Sequence, residues 1–131
     1  MGVRAVALDA QGRVFLVRHS YLPGWHLPGG GVEVGETALE ALTRELREEG
    51  HLELAGPPVL LGVYFNGFAA RRDHVLVYVA EGVRQTRARP ADREIVETGF
   101  FPVDKLPEAT ARASRARIAE ALSGAPPSAH W

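Results

Sequence analysis

Three glutamates, Glu45, Glu48 and Glu49, stand at i, i+3 and i+4 in a stretch, residues 37–49, that contains neither Gly nor Pro. On a helix turning about 100° per residue their carboxylates are surface neighbours. Each like-charged pair at this spacing costs an isolated helix about 0.2–0.5 kcal/mol. They also occupy the last turns, where the helix dipole favours cations instead. A hard divalent cation removes the conflict, because Mg²⁺ or Mn²⁺ takes oxygen ligands and shares its shell with waters and substrate phosphates. Three glutamates taken alone more often mark a solvated acidic face, so their surroundings decide the reading.

The elements that must position them are legible in outline. Thr37 with Glu40 three residues on forms a capping-box pattern that starts the helix, and Gly50 is a plausible stop. Leu39, Leu42 and Leu46 fall on one stripe, read as the core side; Glu40, Thr43 and Arg47 fall opposite, as a solvated face. Before the helix, residues 3–8 and 14–17 read as strands joined by a turn at Asp9-Ala10-Gln11-Gly12. The stretch Leu27-Pro28-Gly29-Gly30-Gly31 is too rich in Gly for regular structure. After the helix, residues 59–65, 74–80 and 95–103 read as strands, the last broken around Gly99, with a polar, arginine-rich loop at 84–93. A second helix is expected over about 109–122, and residues 123–131 form a turn-like, loosely packed tail. The order predicts an α/β sandwich with a mixed sheet between helices, in a single domain over residues 1–131.

Composition narrows the function classes. With 131 residues, 15 basic against 16 acidic and a net charge of -1, the chain lacks the basic excess expected of a binder of duplex nucleic acid. It has no cysteine, which excludes thiolate metal sites and a cysteine nucleophile. No apolar run reaches the length of a membrane span, and the N-terminus has no signal-peptide layout. A cytoplasmic location is expected, with no membrane partner.

The segment from Gly30 onward resembles the Nudix box: Gly30, five residues, Glu36, seven residues, then Arg44-Glu45-Leu46-Arg47-Glu48-Glu49. The preceding Trp25-His26-Leu27-Pro28-Gly29-Gly30 and the downstream Phe100-Phe101-Pro102-Val103-Asp104-Lys105-Leu106-Pro107 are similar to the family's flanking segments. One departure is His51 where the box has Gly, with Gly50 one residue early; it implies a shifted helix exit, since His can adopt the left-handed conformation. The resemblance implies a Nudix-type α/β/α sandwich and a metal-dependent pyrophosphohydrolase. It implies Glu45, Glu48 and Glu49 as metal-ligating and base-bearing groups, a backbone carbonyl from Gly29, support or a further metal at Glu36, and Arg44 orienting a glutamate through a charge-assisted hydrogen bond. The cofactor is Mg²⁺ or Mn²⁺. It would neutralise diphosphate oxygens and acidify a water, whose proton a carboxylate takes before in-line attack on phosphorus.

The base stays open between Glu45 and a later carboxylate among Asp92, Glu94 and Glu97; Glu94 is favoured as base or extra ligand, with Glu97 behind it. Arg18 and His19 are candidates for a substrate phosphate, although a polar strand end is the commoner explanation. Tyr64, Phe65 and Phe68 could stack on a base, with core packing the commoner role for strand aromatics. Arg84, Arg87, Arg89 and Arg93 read as solubilising a loop, and Arg112, Arg115 and Arg117 as the solvated side of the last helix. The expected partner is a small-molecule diphosphate, a nucleoside triphosphate or nucleoside diphosphate derivative, with a homodimer left open. Two alternatives stand beside it: a non-catalytic module that senses a nucleotide, and a hydrolase of a non-nucleotide diphosphate.

Overall fold

The computed structural model describes all residues, 1–131. Strands β1 (Gly2–Ala7) and β2 (Val14–His19) are followed by two short strands, β3 (Trp25–His26) and β4 (Gly29–Gly31). Helix α1 (Ala38–Gly50) leads into β5 (Leu52–Glu53), β6 (Val59–Phe65), β7 (His74–Ala80), β8 (Arg84–Gln85) and β9 (Ile95–Phe101), and α2 (Arg112–Ser123) closes the order.

One sheet runs β4-β1-β7-β6 and a second β3-β2-β9, with β5 and β8 pairing separately. The β1–β7 pair is parallel and the other pairs antiparallel, so the main sheet is mixed. Alternation along β1 and β2 sends side chains to two cores. Val3, Ala5, Ala7, Phe15 and Val17 pack with Ala41, Leu42 and Leu46 of α1. Val6, Leu8, Val14 and Leu16 pack with Ile118 of α2. Strands buried on both faces read as continuous apolar runs, which is why residues 14–17 carry no polar alternation. The result is the expected α/β/α sandwich.

Several local expectations change. The glycine stretch is regular: Gly29–Gly31 forms β4, in antiparallel register with Gly2, Val3 and Arg4. Glycine composition argued for a loop, but these residues lie flat against β1, and a Cβ on Gly29 (φ 150) would collide with the Val3 carbonyl oxygen. Leu39 is 45% exposed; Ala41, Leu42 and Leu46 make the buried stripe instead. Gly99 does not break β9, because it pairs in register with Leu16. The arginine-rich loop begins with β8, whose partner β5 leaves α1 directly. Arg117 is not solvated: it is 3% exposed and lies over the Tyr64 ring, 4.2 Å from its centroid. Helix α2 starts at Arg112, later than expected, without a side-chain cap.

Helix α1 starts and stops as its sequence directs. The Thr37 hydroxyl accepts from the Glu40 N–H, and the Glu40 carboxylate accepts from the Thr37 N–H, closing the capping box. His51 takes the left-handed exit (φ 52, ψ 39) and donates its N–H to the Arg47 carbonyl, 2.9 Å away. The tail is mostly exposed, yet its backbone follows the β6 edge: the Phe65 N–H donates to the Ala129 carbonyl and the Trp131 N–H to the Phe65 carbonyl.

Candidate active site

The junction of α1 with β4 brings the box residues together. Glu49 faces inward from the last turn of α1 and is 8% exposed. Its Oε1 accepts from the Gly29 N–H at 2.7 Å, and its Oε2 lies 3.8 Å from His19 Nε2. Burial raises its carboxyl to about 7; the Gly29 N–H and the Arg4 charge pull against that, while Glu45 and Glu48 push further upward. A carboxylate that keeps its charge in such a setting does so with a cation beside it.

Glu45 lies directly against Gly30. A Cβ there would come within 2.5 Å of Glu45 Oε1, so the glycine makes room for the carboxylate. Glu45 Oε1 accepts from Arg44 Nη1 at 2.8 Å. The Arg44 guanidinium also forks onto Glu36 (Nε–Oε2 2.7 Å, Nη2–Oε1 2.9 Å) and donates to the Gly31 carbonyl at 3.1 Å. That bidentate bond, followed by the Glu33 N–H, holds the Glu36 carboxyl down at about 2. Glu33 and Glu48 approach the same guanidinium at 3.8 and 3.6 Å, so one cation stands among four carboxylates.

The three box glutamates do not close on one point. Glu45 is turned to Arg44, Glu49 to the Gly29 N–H, and Glu48 is open to solvent. Their chemistry nonetheless fits a hard divalent ion: every donor is oxygen, the carboxylates outnumber the one arginine, and the most buried of them is repelled by its neighbours.

Arg4, absent from the sequence reading, is central here. Its Nη1 donates to the carbonyls of Leu27 and Gly29, both at 3.2 Å, so the Gly29 carbonyl expected for a metal already meets a cation. The only available signal was a lone charge inside the apolar run of β1. His19 is buried, its Nδ1 has no hydrogen-bond partner, and burial, then the charges of Arg4 and His26, lower its pKa. Tyr21 stands beside it, ring centroids 5.1 Å apart; partial burial and then the charges of Glu49, Glu94 and Glu45 push its hydroxyl upward. The Glu94 charge acts on the same hydroxyl, and the Glu94 backbone adjoins that of Ser20. Its carbonyl accepts from the Ser20 N–H at 2.9 Å, and its N–H donates to Asp92 Oδ1 at 2.8 Å.

Other expected residues sit differently. Arg18 and Glu97 pair with each other across β2 and β9 at 2.9 Å. Phe65 lies on β6, with β7 and β1 between it and β4. There it lines a 270 Å³ pocket with Phe68, His130 and Trp131. Tyr64 is core, its hydroxyl donating to Glu120 Oε1 at 2.8 Å.

A family model for the NUDIX domain matches residues 1–122. Over 108 residues the chain is 36% identical to "8-oxo-dGDP phosphatase NUDT18" of Mus musculus, covering 80% of this chain and 33% of that protein. Over 58 residues it is 47% identical to an RNA pyrophosphohydrolase of Halorhodospira halophila, covering 44% of this chain and 32% of that one. The chain thus spans about a third of the length of these curated relatives. Among solved structures, a MutT NUDIX hydrolase from Burkholderia pseudomallei superposes with a TM-score of 0.72 at 28% identity, covering 90% of this chain and 94% of that one.

Proposed function

The chain belongs to the NUDIX domain family, and from that premise we propose that it is a divalent-metal-dependent hydrolase of a phosphoanhydride bond in a nucleoside triphosphate or nucleoside diphosphate derivative. The observation that carries this reading is Glu49: a carboxyl buried on α1 against the Gly29 N–H, raised to about 7 by burial and by Glu45 and Glu48 beside it. The relatives, an 8-oxo-dGDP phosphatase and an RNA pyrophosphohydrolase, support the same bond class.

Glu45, Glu48 and Glu49 would hold Mg²⁺ or Mn²⁺, with Glu36 behind them. The bound ion would supply charge neutralisation for the diphosphate oxygens and a water acidified toward neutrality. Arg44 keeps Glu45 and Glu36 at fixed positions through its planar fork. Arg4 ties the Leu27 and Gly29 carbonyls to β1, while the Gly29 N–H on Glu49 and Arg44 on the Gly31 carbonyl join β4 to α1. We assign the proton-accepting role to Glu94 Oε, because its charge acts on Tyr21 beside His19 and its backbone is anchored through Ser20 and Asp92. His19, buried beside Glu49 with its Nδ1 unpartnered, would meet the phosphate side of the substrate, while Arg18 is engaged by Glu97.

The test is phosphate release from a panel of nucleoside triphosphates, nucleoside diphosphate derivatives and non-nucleotide diphosphates, with Mg²⁺ and with Mn²⁺. Release from nucleotides that stops on chelation is expected. Saturable nucleotide binding without release would replace the enzyme with a sensor, and release from non-nucleotide diphosphates alone would move the substrate class.

A further inference from the structure

We propose that the cleft at the C-terminal end of α1 binds a phosphate-bearing anion of nucleotide size, gripped by Arg47 and Arg87 on the side of the helix away from the carboxylates. The cleft has a volume of about 670 Å³, within the range of small-molecule sites. One wall is the stripe Thr43, Arg47 and His51; the other is the β5–β8 pair with Thr86 and Arg87. Arg47 lies two residues from both Glu45 and Glu49, about 200° around the helix, so the two sites do not share a face.

The charge in this cleft is not spent on structure. Arg47 sits in the last turn, where a cation could serve the helix dipole, but the exposed carbonyls there have other donors. Arg89 Nε bonds the Glu48 carbonyl at 2.9 Å, Gln85 Nε2 the Gly50 carbonyl at 3.1 Å, and the Thr86 N–H the His51 carbonyl at 2.9 Å. The His51 N–H takes the Arg47 carbonyl. Every ion pair nearby is made by another arginine: Arg89 with Asp92 and Arg84 with Glu53, the one carboxylate lining the cleft. Arg47 and Arg87 are exposed and make no ion pair or side-chain hydrogen bond. The field of Arg87 reaches His51: after burial, the charges of Arg87 and Arg89 lower its pKa.

Two unpaired guanidinium groups facing one cavity match a phosphate, whose oxygens accept two parallel N–H bonds from each fork. Leu54 adds an apolar wall, and the volume exceeds what one phosphate fills, so a nucleoside portion has room beside it. The inference does not depend on hydrolysis. It concerns the opposite side of α1 and can be read without any metal.

The experiment uses the full chain in excess chelator at low salt, where the carboxylate face repels anions. Amide chemical shifts are followed during titration with inorganic pyrophosphate, adenosine 5′-monophosphate and adenosine. Saturable shifts centred on Arg47, His51, Thr86 and Arg87 are expected with the two phosphate compounds and not with adenosine; tighter binding of the monophosphate than of pyrophosphate identifies a nucleotide, and the reverse a free polyphosphate. The R47Q/R87Q variant should bind about tenfold more weakly or worse. The R71Q/R72Q variant, with the same change in net charge on the β6–β7 connection, should bind as the parent does. Absence of saturation by about 10 mM, shifts centred elsewhere, equal binding of adenosine, or equal weakening in both variants would overturn the assignment.

Discussion

Two guanidinium groups organise the two helices, and they do so with opposite charge balance. Arg117 on α2 is buried, pairs with Glu120 at 2.9 Å, donates to the carbonyls of His130 and Trp131, and lies against the rings of Tyr64 and Trp131. One positive charge meets one carboxylate, neutral oxygens and aromatic faces, so its charge is balanced within the chain. Arg44 on α1 stands among Glu33, Glu36, Glu45 and Glu48, with Glu49 one turn on and buried. Arg4 adds a second positive charge near Glu49, and two positive charges do not balance five carboxylates. A charge-balanced network of this kind holds structure; an unbalanced one suits completion from solution, by the divalent cation of the proposed function.

The contrast can be tested from both sides. Replacing Glu48 and Glu49 together with Gln removes the open charge while keeping shape; metal-dependent turnover should fall by at least about 10²-fold with an unchanged circular dichroism spectrum. Full activity in that variant would end the account of the site. Arg117→Met opens the closed network and leaves Glu120 unpaired. It should cost about 3 kcal/mol of stability, seen as a Tm lower by about 10 °C, with kcat below the transition near that of the parent. A large kcat loss at unchanged Tm would reverse the two roles.

Glu49 allows a finer test by pH. Its carboxyl stands at about 7 in the fold against an ordinary 4.5, so the folded state binds the proton more tightly. The stabilisation is fully present below about 4.5 and is lost as pH rises through about 7. In chelator, stability should therefore fall by about 2–3 kcal/mol between pH 5 and 8, and Glu49→Gln or added Mg²⁺ should flatten that slope in thermal denaturation. Arg44→Lys keeps the charge and loses the fork; about tenfold lower kcat at equal Tm is expected. Smallest of all, Thr37→Ala should lower stability by about 1 kcal/mol, through the cap alone and without touching KM.

Much of this was legible in one dimension. Helical periodicity groups Glu45, Glu48 and Glu49 on one side of α1, and the resemblance to the Nudix box adds Gly30, Glu36 and Arg44 at a spacing local to one strand, one turn and one helix. The capping box at Thr37 is equally local. What was not legible depends on contacts between distant segments. Arg4 reaches Gly29 because β1 pairs with β4, and nothing near Arg4 in the chain announces it. Arg117 looked solvated because composition does not show that the tail folds back over it. Arg87 looked like a solubilising charge until β8 set it beside Arg47.

The order of elements, the stretches of helix and main strands, and the chemistry of the acidic patch were determined by the sequence itself, since each follows from side chains no more than a few turns apart. Which charges are balanced was decided only by tertiary structure. Glu49 becomes a group that holds its proton to about 7, and Arg47 a group with no partner, through what burial removes and what other strands bring opposite them. Solvation and Coulomb energy depend on distance through space, and distance along the chain does not report it.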